Sequence, residues 1–303
     1  MLGGDDEQVA ATVAVIAAAD ADIVMLQGVD YDADGVALGV LQDQLGQAGA
    51  PYPHSFALRP NTGRPTGVDL DGNGRLGEAR DAVGYGTFNG QGGMAILSRV
   101  PIGLVRDHSG FLWRDLPEGS AAEVTPAEAL DLLPLATVAA WDMQIILPSG
   151  VFHLLTLHAT PPVFDGPEDR NGLRNADELR FWQLLLDGWS PDGAPFAADR
   201  FALIGTLNLD PNRGEGRRSA LMGLLTHAAL QDPAPQRPGG GMQTADWPEP
   251  TPGDMRVDYI LPAAGLRVTD SGVIWPSDDA ATPPLSTVMA ASDHRLIWVD
   301  LQF

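Results

Sequence analysis

"LIGTLNLDPNRG", residues 203–214, decides how this chain is read. Its first half is an apolar run ending in small residues, the length of a buried strand and too short for a helix. Its second half is rich in Asn, Asp, Pro and Gly, the turn chemistry that stops a strand. A buried strand opening into a polar loop is where a rigid scaffold presents reactive groups. Thr206 and Asn208 stand at that junction. The same form recurs at "DIVMLQ" (22–27), "GMAILS" (93–98), "MQIILP" (143–148), "VFHLLTLHA" (151–159), "VDYILP" (257–262) and "RLIWVDLQF" (295–303). Strands therefore outnumber helices.

Three stretches carry helical periodicity instead. Val9, Val13 and Ile16 follow an acidic start that suits a helix N-terminus. Leu179, Trp182, Leu185 and Leu186 share a face within "NADELRFWQLLLDGW", as do Ala220, Leu224 and Ala228 within "GRRSALMGLLTHAAL". No fixed-period repeat or linker divides the 303 residues, so residues 1–303 read as one domain, with "PAPQRPGGG" (233–241) as a loop.

Charge narrows the partners. Forty acidic residues against eighteen basic ones give a net charge of −22, and all eighteen are Arg, since Lys is absent. Such a surface repels a phosphate backbone, so extended nucleic-acid binding is not expected; a small anion or a metal ion fits better. Without Cys there are no disulfides, thiolate ligands or cysteine nucleophile. No apolar run is long enough to span a bilayer. As given, "MLGGDDEQ" lacks the apolar core of a signal peptide, so the chain reads as soluble, and a secreted or periplasmic form with its leader removed stays compatible. Oligomeric state and compartment are left open.

Candidate chemistry collects at strand ends. Asp258 opens one strand, Asp293 and His294 precede the last, His158 closes "LLTLH", and Asn208 follows Thr206. A carboxylate that fixes an imidazole tautomer, a second imidazole and an amide donor are parts that stabilise a phosphoryl group in transfer. His54, His108, His153 and His227 have no such context and read as structural or exposed.

With these motifs in this order, the chain resembles the endonuclease/exonuclease/phosphatase superfamily. "DIVMLQGVD" looks like its strand ending in Gln-Glu-Val, "GGMAILSRVPI" like its Gly-x-Ala-Ile-Leu-Ser-Arg-x-Pro-Ile, "LLTLHATPP" carries its strand-end His, "LIGTLNLDP" resembles its Gly-Asp-x-Asn, and "RVDYIL" and "SDHRLI" look like its last two blocks. The resemblance implies a four-layer α/β sandwich: two mixed β-sheets packed face to face, with helices outside. It also implies hydrolysis of a phosphoester, in a phosphodiesterase or phosphatase, by metal-assisted attack of water, with Mg²⁺ or Mn²⁺ at the active site. Carried over by position, His294 is the catalytic His and Asp258 orients it. Asp293 is a metal or water ligand, Asn208 holds phosphate or water, and His158 lies near the leaving group.

Three departures stand out. Gly28 replaces the family's metal-ligating Glu, and Thr206 replaces the Asp that activates water. Gly has no side-chain oxygen, and a Thr hydroxyl does not ionise near neutral pH, so neither replaces a carboxylate. The third is the family's first strand, which is missing ahead of the first helix in the chain as given. Asp30 lies on the same strand face as residue 28 but about 6.5–7 Å further along, so as a ligand it would need a shifted site. Two readings follow: a metal-dependent phosphoesterase with strongly reduced activity, and an inactive relative that keeps the fold and binds ligand.

Two further segments carry expectations. In "DLDGNGRLGEARD" (69–81), Asp69, Asp71 and Asn73 take positions 1, 3 and 5 of a calcium loop and Gly74 the turn, but Arg80 stands where a bidentate Glu belongs, leaving Glu78 or Asp81 to reach round. It reads equally as a structural Ca²⁺ site or a solvated turn. After His158, Arg170, Asn171 and Arg174 are candidates to hold a small anionic phosphoester, or else pair with neighbouring acids. "TFNGQGGM" (87–94) reads as another rim loop.

Overall fold

The computed structural model describes residues 6–275, 278 and 283–303; the first residues of the acidic N-terminal stretch lie outside these. Its elements run α1 (Glu7–Ala19), β1 (Ile23–Val29), α2 (Val36–Gln47), β2 (His54–Ala57), β3 (Gly93–Ser98), β4 (Ile102–Asp107), α3 (Ala121–Val124), β5 (Ala140–Leu147) and β6 (Gly150–His158). Then follow α4 (Arg170–Leu186), β7 (Phe201–Thr206), α5 (Arg218–Leu225), β8 (Asp258–Pro262), β9 (Arg267–Val273), α6 (Leu285–Ala291) and β10 (Ile297–Gln302). Every strand and helix expected from the sequence is present. The helix expected over residues 216–230 is shorter, because His227 and Leu230 close successive turns after it.

A five-stranded sheet in the order β4-β5-β6-β7-β8 is the larger layer. It is mixed because β6 and β7 run parallel while their other neighbours are antiparallel. A parallel pair needs a crossover, and α4 supplies it. The opposite layer holds a three-stranded group, β1-β3-β2, and a two-stranded group, β9 with β10. Both groups are wholly antiparallel, so only one of the two layers is mixed.

Alternation along the strands sorts side chains between layers. Met94, Ile96, Trp141, Met143, Phe152, Leu154 and Ile204 fill the space between the sheets, with Ile23, Met25 and Leu301 against them. The other face of the large sheet, carrying Leu155, Leu157, Leu203 and Leu261, is covered by Leu179, Trp182 and Leu185 of α4 and Leu221 and Leu224 of α5. On the far side, Val13, Ile16, Leu41 and Leu45 of α1 and α2 cover Val24 and Leu97. The result is helices, sheet, sheet, helices.

Polar residues on α4 fix the loops above the large sheet. The Asn175 Nδ2 donates to the carbonyls of Thr160 and Leu207 at 2.7 and 2.9 Å. The Glu178 carboxylate accepts from the backbone amides of Thr137 (2.9 Å) and Thr160 (2.5 Å). Asp177 accepts from the Trp113 indole and from Ser120, each at 2.7 Å. Loops of β5, β6 and β7 are thereby tied to one rigid helix.

Candidate active site

Strand register builds the centre. His158 pairs with Thr206 across the parallel β6–β7 ladder, and Thr206 pairs with Asp258 across the antiparallel β7–β8 ladder. Direct cross-strand neighbours point to one face, so three side chains stand in a row where β6 and β7 end and β8 begins. Their alternation with Leu154, Ile204 and Ile260 puts that row on the inter-sheet face. The β1–β3 end carrying Gln27 and Gly28 lies at the same end of the sandwich: Gly93 abuts Pro60, and the next residue, Asn61, donates its amide to Val138 at 2.9 Å.

Asp258 is the anchor. Its buried carboxylate accepts from the hydroxyls of Thr206 and Thr244, the latter at 2.8 Å, and its oxygens lie 2.9 and 3.1 Å from Nδ1 of His294. Burial alone would raise its pKa, but His294 and the two hydroxyls outweigh that and hold it below the ordinary carboxylate range. His294 responds in kind. Burial opposes its charging, yet the neighbouring carboxylate prevails and its pKa rises. With Nδ1 turned to Asp258, Nε2 is the nitrogen left to meet a ligand.

The segment carrying His294, just ahead of β10, is itself pinned. Ala245 bridges to both Met255 and His294, Asp246 donates its amide to the Asp293 carbonyl at 2.9 Å, and Arg295 donates its amide to Thr244 at 2.7 Å. Arg295 also reaches the Asp246 carboxylate at 2.5 Å. Trp247 sits edge-on to the His294 ring at 5.5 Å. Thr244 and this bracing segment carried no sequence signal, because an isolated Thr beyond a glycine-rich loop has neither periodicity nor motif.

His158 is close enough to feel both His294 and Asp258. Burial, reinforced by the His294 charge, pushes its pKa down to about 4, so the ring is neutral near pH 7. Its Nδ1 is enclosed without a hydrogen-bond partner among the described residues, while the ring as a whole is partly reachable. Asn208 has a left-handed backbone, φ 56°, and its Nδ2 donates to Ala159 at 2.7 Å. The side-chain oxygen is the part of Asn208 left for a ligand. Asp293 is exposed beside His294, and it is its backbone oxygen that is engaged.

Thr206 is 2% exposed and committed to Asp258. Gly28 is the extra residue of a bulge, where the register jumps between Gln27 and Val29, and its φ is +73°. A side chain there has open space but an unfavourable backbone. Asp30 accepts from the Gly92 amide at 2.9 Å. Gly28 thus offers no oxygen, and the Thr206 hydroxyl is already used. A divalent ion, as the resemblance implies, would rest on other oxygens at this end: Gln27 Oε1, which is buried without a partner among the described residues, the Asn208 side-chain oxygen and the Asp293 carboxylate.

The substrate-binding expectations for the α4 region resolve differently. Arg174 is buried, and its guanidinium donates to the carbonyls of Leu135, Val83 and Pro134 at 3.0, 2.8 and 2.6 Å. It is a loop clamp, because three carbonyl oxygens satisfy the charge that an anion would need. Arg170 donates to the Leu70 carbonyl at 2.7 Å, and Asn171 to that of Val163 at 2.7 Å. Of the calcium-loop candidates, Asp69 and Asp71 converge, but the third partner is buried Asp81: one carboxylate oxygen from each lies within 4.8 Å of the others. Asn73 turns away, its Oδ1 taken by the Arg75 amide at 2.8 Å and its Nδ2 by Asp71 and Glu78. Among the described residues this is the one group of three such ligands.

Two outcomes test this arrangement. Thr206→Val removes a donor from a buried ionised carboxylate and should cost about 1.5–3 kcal/mol in urea unfolding; no loss would mean that the hydroxyl is idle. The two imidazoles oppose each other in pH. Between about 4 and 6.5, the unfolded chain takes up a proton that folded His158 refuses, so stability rises with pH. Above 6.5, folded His294 keeps a proton that the unfolded chain has lost, so stability falls as pH passes its raised pKa. Urea midpoints should therefore lose their acid-side slope in His158→Asn and their alkaline-side slope in His294→Asn.

Similarity to known proteins agrees with this fold. An endonuclease/exonuclease/phosphatase protein from Beutenbergia cavernae DSM 12333 superposes with a TM-score of 0.57 at 21% identity, covering 98% of this chain and 66% of its own. An endonuclease/exonuclease/phosphatase family protein from Leptotrichia buccalis C-1013-b gives 0.57 at 16%, covering 98% and 93%. The human Nocturnin catalytic domain with bound sulfate gives 0.55 at 15%, covering 99% and 87%. At these identities the likeness is one of fold. No curated protein sequence matches. Residues 1–294 match the Endonuclease/Exonuclease/phosphatase family, and the chain belongs to it.

Proposed function

We propose that this chain is a phosphoester hydrolase of its family, a phosphodiesterase or phosphatase, that keeps its phosphoryl-binding residues and turns over slowly. The observation that carries the reading is the row of His158, Thr206 and Asp258 with His294 bonded to Asp258. His294, held by Asp258, supplies a cationic N–H to a phosphoryl oxygen; neutral His158 faces the leaving group; Asn208 positions phosphate or water. The human Nocturnin catalytic domain, which shares the fold, carries a bound sulfate anion.

The substrate in this reading is a small anionic phosphoester. The charge of −22 disfavours a long polyanion, and Arg170 and Arg174 are turned to backbone carbonyls. A second reading, an inactive relative that only binds ligand, is favoured by the Thr206 hydroxyl bond to Asp258, since that residue has no base to offer. Among the described residues no helix is long and apolar enough to cross a membrane.

Hydrolysis of bis(p-nitrophenyl) phosphate and p-nitrophenyl phosphate with Mg²⁺ or Mn²⁺ separates the readings. Gly28→Glu with Thr206→Asp supplies both missing carboxylates and should raise the rate at least about 10³-fold, since acid–base catalysis alone is worth about 10²–10⁴. Equal rates would refute the lesion and point to another carboxylate, such as Asp30. No detectable turnover by the unaltered chain, with phosphate still bound, would favour the inactive relative. Thr206→Asp alone serves as a check if the backbone at Gly28 rejects a side chain.

The Asp69, Asp71 and Asp81 cluster supports a separate structural cation, and calcium is the ion that such a loop suits. A crystal soaked in Ca²⁺ should show six or more oxygens at about 2.3–2.6 Å, with these three carboxylates among them. Unchanged loops with no bound ion would leave a polar turn.

A further inference from the structure

We propose that one internal water between the two sheets, held by Trp141 Nε1 and Thr156 Oγ1, donates to Nδ1 of His158 and keeps that imidazole's proton on Nε2. Trp141 and Thr156 are then positioning residues for the leaving-group side of the site. The role given to His158 rests on the phosphoryl-binding reading above; the water does not.

Strand register puts the three groups together. Trp141 and Thr156 are direct partners on the β5–β6 ladder, where the β carbons of opposed side chains stand about 4.5–5.5 Å apart. Thr156 and His158 are two residues apart on β6, on one face and about 6.5 Å from each other along it. That face is the inter-sheet one: Leu154 continues the row, Ile204 lies opposite Thr156 on β7, and both pack with Trp141 between the sheets. Trp141 and Thr156 are each 0% exposed. Their polar atoms and His158 Nδ1 are all buried without a hydrogen-bond partner among the described residues. The spacing of Thr156 and His158 is too long for a direct bond and suits one bridging molecule.

Among the described residues no other site group serves Nδ1. Thr206, the neighbour of His158 on the other ladder, is committed to Asp258, and the Asn208 Nδ2 to the Ala159 carbonyl. A buried donor or acceptor left unpaired is costly, and a buried water makes roughly three hydrogen bonds to groups of this kind. The polarity then follows. An indole N–H only donates. A water that accepts from Trp141 and from the Thr156 hydroxyl has both lone pairs filled, so towards His158 it donates. Near pH 7 the His158 ring is neutral and one nitrogen carries its proton; an accepting Nδ1 leaves that proton on Nε2. Nδ1 is enclosed while the ring is partly reachable, so a leaving-group oxygen meets an N–H and not a lone pair.

Nitrogen NMR spectra of the imidazoles and a crystal structure test this without any ligand. In the unaltered chain His158 should show a protonated Nε2 and a hydrogen-bonded, unprotonated Nδ1, with an ordered water about 2.7–3.2 Å from all three atoms. Thr156→Val keeps the side-chain shape and removes one donor, so the ratio of Nε2–H to Nδ1–H tautomers should fall roughly fivefold, while Thr156→Ser should keep it. Trp141→Phe should move the ratio in the same direction. A proton on Nδ1 in the unaltered chain, no water at that place in its crystal, or a ratio unmoved in both Thr156→Val and Trp141→Phe overturns the proposal. The first two outcomes require no variant to fold. The phosphoryl-binding reading fails separately, if His294→Asn leaves the binding of inorganic phosphate unchanged.

Discussion

The buried carboxylate of Asp258 is the interaction on which this end of the molecule depends. Three separate segments converge on it through Thr206, Thr244 and His294. A buried carboxylate is costly unless it is fully hydrogen-bonded, so each donor is held in place by the penalty of leaving it out. Strand register alone would align Thr206 with Asp258. The residue 36 positions further along, His294, is brought in by the carboxylate and by its bridge to Ala245, which is bridged in turn to Met255. Fold and site are thus closed by the same charge.

The α4 helix shows how buried polar groups can serve organisation over affinity. Asn175, Arg174, Asp177 and Glu178 are all buried, and each is hydrogen-bonded to loop backbone or to neighbouring side chains, with Asn175 Oδ1 left without a partner among the described residues. Desolvation pushes the Glu178 pKa up and draws that of Arg174 down to about 10, and the two partly compensate. From the sequence, Arg170, Asn171 and Arg174 at the start of this helix were candidates to hold an anion or else to pair with neighbouring acids, because polar residues at a loop–helix junction are most often exposed. The helix instead turns its polar side under the loops and its apolar side onto the sheet.

Much of the fold was legible because fully buried strands such as β3 and β7 are continuous apolar runs with turn residues at their ends. Elements that escaped notice obey weaker rules. β4 and β9 lie at sheet margins with mixed burial, and β2 spans four residues. α2 has Gly39 and Gly46 diluting its periodicity, and its start is held by Asp32 accepting from Val36 and Ala37, a cap set back from the first helical residue. The site residues His158, Asn208, Asp258 and His294 were legible as strand-end chemistry in a family order. Thr244 and the Gly28 bulge were not, since partner choice in an irregular loop and a register slip are tertiary facts.

Gly28 and Thr206, which stand where the family resemblance expects carboxylates, are integrated with their surroundings. Here Gly28 occupies a bulge whose φ favours glycine, and Thr206 donates to the charge that a second carboxylate would repel. Each residue therefore satisfies the local backbone or hydrogen-bond requirement. In a chain with a net charge of −22, fewer carboxylates around Asp258 also lower the electrostatic cost of closing the site without a cation. Both residues suit the backbone and hydrogen bonds around them, while Gln27 Oε1 and His158 Nδ1 beside them stay buried without a partner among the described residues.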